Sequence, residues 1–166
     1  MTNVAIQPVI RGLNRSDRGR IEAITRATGV FREDEVAIAL EVFDSSCRPD
    51  QLDYHTLGVE SSGRLAGWIC WGETPCTEGT WDLYWMAVDP GAQGTGLGTV
   101  LIEHMESLLQ HRARLIMIDT SGRPDYANTR AFYQARGYSI AAIVPDFYAP
   151  GDDQVILFKK FPAPPR

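Results

Sequence analysis

The chain has 166 residues, a length typical of one domain that buries roughly 70% of the surface its unfolded form exposes. At 44% hydrophobic, 22% charged and 10% aromatic residues it is too apolar for a disordered chain and ordinary for a soluble globular one. A net charge of −5 without any run of Lys and Arg excludes a general nucleic-acid binder, and nowhere do 18 apolar residues run together to span a membrane.

Val4–Ile10 alternates as an opening strand. Ser16 and Asp17 then offer a cap for a helix carrying Ile21, Ile24 and Ala27 on one face, and Gly29 ends it. A second helix is predicted over Glu33–Phe43, where Val36, Leu40 and Phe43 recur at helical spacing and Glu33, Asp34 and Glu35 suit the N-terminal dipole. Tyr54–Glu60 and Arg64–Trp71 are β-branched, aromatic and apolar, and Ser61-Ser62-Gly63 between them reads as a hairpin turn. After the Gly- and Pro-punctuated loop Gly72–Thr80, a further strand is expected at Trp81–Val88.

Leu97, Val100, Leu101, Met105, Leu108 and Leu109 form one apolar stripe of a helix, on which His104 reads as structural. Leu115–Ile118 is almost continuously apolar, as a buried strand would be, so Trp81–Val88, the helix and Leu115–Ile118 predict a parallel strand–helix–strand unit. The last helix is expected from about Asn128, as its N-cap, to Arg136, stopping at Gly137. Tyr138–Val144 and Val155–Phe161 close the chain as strands. Residues 1–161 are read as a single domain and the proline-rich 162–166 as a frayed tail.

Cys47, Cys70 and Cys76 have neither CxxC spacing nor nearby histidines, so neither a disulfide scaffold nor a metal site is expected. No basic start followed by a long apolar stretch opens the chain, and a cytoplasmic location is expected. Trp68, Trp71, Trp81 and Trp85 could line an acceptor pocket, but tryptophans on adjoining strands more often fill a core.

The glycine-rich run after Val88-Asp89-Pro90 lies between a strand and a helix, where unpaired backbone N–H groups and the helix dipole favour an anion. Spacing separates the candidate motifs. GxGxxG fails because Thr99 occupies the third glycine position, and the P-loop fails because Leu97 stands where its lysine would. QxxGxG remains, at Gln93, Gly96 and Gly98.

The segment AVDPGAQGTGLGTVLIEHME resembles the acyl-CoA-binding motif of the GNAT superfamily of N-acetyltransferases. NTRAFYQARGY, Asn128–Tyr138, is similar to a second element of that superfamily, in the correct order. The resemblance implies an α+β fold: a mixed, mostly antiparallel twisted sheet of about seven strands, with the central parallel unit named above and helices on both faces. It implies acetyl-CoA as acyl donor, without metal. The pyrophosphate would lie on Gln93, Gly94, Thr95, Gly96, Leu97, Gly98 and Thr99, and the pantetheine arm would pair with backbone near Met86, Ala87 and Val88, where those two parallel strands splay. Asn128 and Tyr133 would also face the coenzyme, and the family's exposed strand edges suit a homodimer.

Transfer needs a base, an oxyanion donor and a proton for sulfur. Asp82, on the same strand and face as Tyr84 and Met86, is the leading base, with Glu33 or Glu73 as substitutes. A backbone N–H at Met86 or Ala87 would hold the oxyanion. Tyr133, matching the family tyrosine, would serve the departing thiolate. The acceptor would be the primary amine of a small molecule or peptide. A protein N-terminal acetyltransferase is the alternative, since Tyr148, Asp152 and Asp153 near the closing hairpin faintly resemble a peptide-holding region. An acyl-CoA-binding sensor without chemistry is the reading from another class.

Overall fold

Asn14, not Ser16 or Asp17, opens the first helical segment. Its side-chain oxygen accepts the Ser16 N–H at 2.9 Å, capping a 3-10 turn over Arg15–Asp17. Asp17 is engaged elsewhere: it accepts the Asn14 N–H at 3.0 Å and both terminal nitrogens of Arg11 at 2.8 and 2.9 Å. The helix α1, Arg18–Ala27, follows without a side-chain cap of its own. In this computed structural model residues 7–162 are described, so Val4–Ile6 of the expected first strand and residues 163–166 of the expected tail lie outside them. The described strand β1 is Val9–Gly12.

The remaining elements match the expected order, with shifted ends. They are α2 (Glu33–Ser46), β2 (His55–Ser61), β3 (Arg64–Glu73), β4 (Thr80–Val88), α3 (Leu97–Leu109), β5 (Leu115–Ser121), α4 (Ala127–Gln134), β6 (Ser139–Ala149) and β7 (Asp152–Lys160). The strands form one seven-stranded mixed sheet in the order β1-β2-β3-β4-β5-β7-β6. Its parallel pair is β4–β5, in which Thr80–Leu83 run beside Leu115–Ile118. At the β2–β3 turn both Ser62 (φ 53°) and Gly63 (φ 72°) are left-handed, the backbone a tight two-residue hairpin requires.

Backbone contacts divide the chain into two compact units, one running to Trp71 and including Trp85–Leu108, the other Gly72–Tyr84 with the residues from Leu109 on. The first holds a core in which Ile21 and Ile24 of α1, and Val36, Leu40 and Phe43 of α2, meet Leu65, Trp68 and Cys70 of β3 and Ala87 of β4. Burying each large side chain contributes about 1.5–3 kcal/mol. The Trp68 ring meets Phe43 edge-on at 6.3 Å, and its N–H donates to Thr25 Oγ1 at 3.0 Å, so its one polar group is satisfied. Trp68, Trp71 and Trp81 are buried, as core tryptophans should be, while Trp85 is half-buried against Phe31.

The stripe on α3 differs from the expected one. Leu97, Leu101, Met105 and Leu109 are buried and joined by Ile102, whereas Leu108 is 51% exposed. The buried face is centred on the i, i+4, i+8 row, and Leu108 falls beyond its edge. In the second unit Trp81, Leu83, Ile116, Ile118, Tyr133, Tyr138, Val155 and Leu157 are buried.

The start of α4 also departs from expectation. Pro124 begins a 3-10 turn, Pro124–Tyr126, that feeds the helix directly, so Asn128 is not its N-cap but an exposed residue of its first turn. Its far end is as the glycine predicts: Gly137 has φ +87°, with Gly137 N–H donating to Gln134 O and Tyr138 N–H to Tyr133 O.

Candidate active site

Strand β4 alternates, with Trp81, Leu83 and Ala87 buried and Asp82, Tyr84 and Met86 more open. At its C-terminal end the Asp89 N–H donates to Ala66 O of β3 at 2.8 Å. Backbone groups of successive strand residues point to opposite edges, so those of Ala87 face β3 and those of Met86 and Val88 face away. The strand then turns. Asp89 accepts the Gly91 N–H at 3.0 Å, which caps a 3-10 turn at Pro90–Ala92, and Gln93 folds back so that its amide donates to Val88 O at 3.1 Å.

Beyond Gln93, Gly94 (φ +76°) and Gly96 (φ +88°) take left-handed conformations that side-chain-bearing residues adopt at a cost of about 1–2 kcal/mol. A Cβ at either would meet nothing within 4 Å, so the loop's outer face is open to a ligand. Gln93, Gly94, Thr95 and Gly96 are exposed, Leu97 is buried, and Thr95 Oγ1 donates to Ala92 O at 2.6 Å. Gly98 and Thr99 belong to α3, whose Val100 N–H donates to Gly96 O at 3.0 Å. The first N–H groups of a helix have no partner within it, and here they follow directly on the glycine turn.

The second unit carries the acid–base candidates. Asp82 accepts a hydrogen bond from Thr74 Oγ1 at 2.5 Å. In the parallel register Asp82 lies opposite Met117, so Asp119, two residues on, shares its face of the sheet. Gln154 of β7 donates to Asp119 at 3.0 Å. Surrounding protein pushes the Asp119 carboxyl above its ordinary value, the Asp82 charge adds to the rise, and the Gln154 amide opposes it. Asp119 was not among the residues singled out from the sequence, because the expected strand stopped at Ile118. Its signal is the register of two parallel strands, which a linear pattern does not carry.

Tyr133 is buried on α4, edge-on to Phe132 at 5.3 Å and to Tyr138 at 5.9 Å. Burial raises its phenol well above the ordinary value near 10, so it stays protonated across the physiological range. Asn128 lies on the same helix, with its side chain exposed.

The substitute bases are differently placed. Glu33 is 74% exposed and paired with Arg26, whose guanidinium holds its carboxyl below the usual range, and Glu73 is exposed. The hairpin carboxylates are occupied: Asp152 accepts from Ser121 Oγ at 2.5 Å and from Arg123 at 3.4 Å, and Asp153 accepts the Asp146 N–H at 2.9 Å. Cys70 is buried, which pushes its thiol up to about 12 and leaves it inert. Among the described residues no group of three or more His, Cys, Asp or Glu side chains could hold a metal ion, and no helix is long and apolar enough to cross a membrane.

This strand, glycine turn and helix lie inside residues 25–138, which match the profile of the acetyltransferase (GNAT) family. The chain belongs to that family. A GNAT-family protein of Desulfovibrio desulfuricans is 34% identical, with a TM-score of 0.87 over 93% of this chain and 99% of that one. Blasticidin-S acetyltransferase of Streptomyces morookaense is 35% identical over 64% of this chain and 74% of its own length. A Salmonella typhimurium protein solved with its cofactor acetyl-CoA shares the fold at a TM-score of 0.75 and 17% identity, over 96% of this chain and 97% of that one. The chain spans 65% and 63% of the length of two further relatives, from Methanocaldococcus jannaschii and Bacillus subtilis.

Proposed function

We propose that this GNAT-family chain is an N-acetyltransferase that moves the acetyl group of acetyl-CoA directly to a primary amine of a small molecule or peptide. The observation that carries the reading is the loop at Gln93–Gly98. Two left-handed glycines with open outer faces stand before the N-terminus of α3, which suits the pyrophosphate of coenzyme A. The Salmonella protein solved with acetyl-CoA supports the donor, and blasticidin-S acetyltransferase supports a small-molecule acceptor.

An alkyl amine with a pKa about 10.4 arrives protonated and must lose a proton before it attacks. Asp82, held by Thr74, takes that proton. Nitrogen then bonds to the acetyl carbon, and the Met86 N–H, directed away from β3, stabilises the negative oxygen. As the carbon–sulfur bond breaks, Tyr133 gives its proton to the thiolate, and the second proton shed by the new amide nitrogen restores the phenol, so that N-acetyl product and free CoA thiol leave a neutral Tyr133 behind. Ala87 is the weaker oxyanion candidate, because its backbone groups face β3. The occupied Asp152 and Asp153 do not favour the peptide N-terminus reading.

The two units serve one acetyltransferase domain in this reading, which the 93% coverage by the Desulfovibrio structure supports. A cytoplasmic location agrees with three free cysteines. A homodimer agrees with β6, an edge strand on which Ile140, Ile143, Val144 and Phe147 are exposed.

The test is calorimetric titration with acetyl-CoA followed by a thiol-release assay across a panel of amines and peptides. Binding in the micromolar range and release with an amine are expected. An absence of binding heat sinks the reading, and binding without thiol release on any acceptor replaces it with an acyl-CoA sensor.

A further inference from the structure

The glycine turn is anchored from a distant part of the chain. Arg20 of α1, half-buried, donates through Nε to the Leu65 carbonyl of β3 at 2.8 Å and through a terminal nitrogen to the Asp89 carboxylate. Asp89 in turn caps the turn at Gly91, while its own N–H is held by Ala66. One guanidinium thus fixes both the strand beside the turn and the residue that starts it. The pair is well shielded for a surface contact, with side-chain exposures of 22% and 27%.

Close strand packing depends on the same place. A Cβ on Gly67 would stand 3.1 Å from Ala87 O and 3.2 Å from the Val88 side chain, so β3 approaches the last residues of β4 more closely than a larger residue allows. The first part of the turn is therefore held on two sides, by the β3 backbone and by α1. At the left-handed glycines beyond it a Cβ would meet nothing within 4 Å.

We infer that Arg20 is a positioning residue for the acyl donor, holding Asp89 so that the turn into Gln93–Gly98 keeps the backbone orientation a pyrophosphate needs. The inference rests on the proposed coenzyme reading of that loop. Arg20 does not touch the donor; it acts through Asp89. A preorganised anion site binds more tightly because its ordering cost is met on folding rather than on binding.

The experiment compares wild type, Arg20→Gln, Arg20→Lys and Asp89→Asn by calorimetric titration with coenzyme A and by steady-state kinetics. Arg20→Gln is expected to weaken coenzyme A binding and raise KM for acetyl-CoA by about tenfold, the scale of losing a charge-assisted hydrogen bond. The acceptor KM and kcat at saturating donor should move less than about twofold, and Arg20→Lys should recover part of the loss. Asp89→Asn keeps an acceptor for the Gly91 N–H but lacks the charge, and asks the same question should Arg20→Gln fail to fold. Unchanged coenzyme affinity, or equal losses in the KM values of both substrates and in kcat, would overturn the role. Failure of the wild type to bind coenzyme A removes the underlying reading instead.

Discussion

Asp89 follows the last residue of β4 and Asp119 lies within β5, and their surroundings drive the two carboxyls apart. Asp89 faces the Arg20 guanidinium and the Gly91 N–H, which hold its carboxyl below the usual range. Asp119 has no cation among the described residues; protein packing and the Asp82 charge raise it, against only the Gln154 amide. The first is a fixed charge that holds a backbone turn. The second shares a face of the sheet with Asp82, whose like charge adds to its rise. The contrast separates a carboxylate held by a cation from one set beside a like charge.

The largest expected effect falls on the shape-holding region. Gly96→Val forces a β-branched residue into φ +88° and fills the open face of the loop, and should weaken coenzyme A binding by about a hundredfold or more in a calorimetric titration. An affinity within threefold of wild type would break the comparison. Next comes Asp82→Asn, for which kcat should fall about a hundredfold, the low end for losing a general base, with coenzyme binding intact. Preserved turnover would move the base elsewhere. Tyr133→Phe, judged by the same split, should lower kcat by about tenfold while coenzyme affinity changes less than about twofold.

The smallest effects concern stability, and their signs are opposite. The lowered Asp89 carboxyl contributes stability that is fully present above its ordinary pKa of 3.8 and is lost as pH falls through its folded value. Asp89→Asn should therefore lower Tm at pH 7 by about 2–4 °C, with the gap closing below pH 3.8. For the raised Asp119 carboxyl the relative stabilisation exists below its ordinary pKa of 3.8 and disappears as pH rises through the folded value. Asp119→Asn should thus leave Tm at pH 7 unchanged or up to about 2 °C higher. Thermal scans at pH 3 and pH 7 showing the same sign for both variants would erase the distinction.

Much of this was legible in the chain itself. Helical and alternating patterns locate α1, α2, the strands and the parallel unit, because apolar residues must recur on the face that is buried. The glycine run and the end of α4 are legible through backbone chemistry, since left-handed turns at Gly94, Gly96 and Gly137 favour glycine whatever surrounds them. Strand ends and caps were less legible. β5 continues to Ser121, and Asn128 yields the start of α4 to a turn begun by Pro124, because element ends are set by cap and pairing geometry that a linear pattern does not carry.

The sequence by itself determined the family, the order of elements and the glycine loop, all properties written in residues close to one another along the chain. Only the tertiary structure decided which charges meet. Arg20 and Asp89 are 69 residues apart, and Asp119 and Gln154 35 apart. Whether an aspartate is held below or pushed above its ordinary value depends on the partner brought to it through space, and no local pattern records that partner.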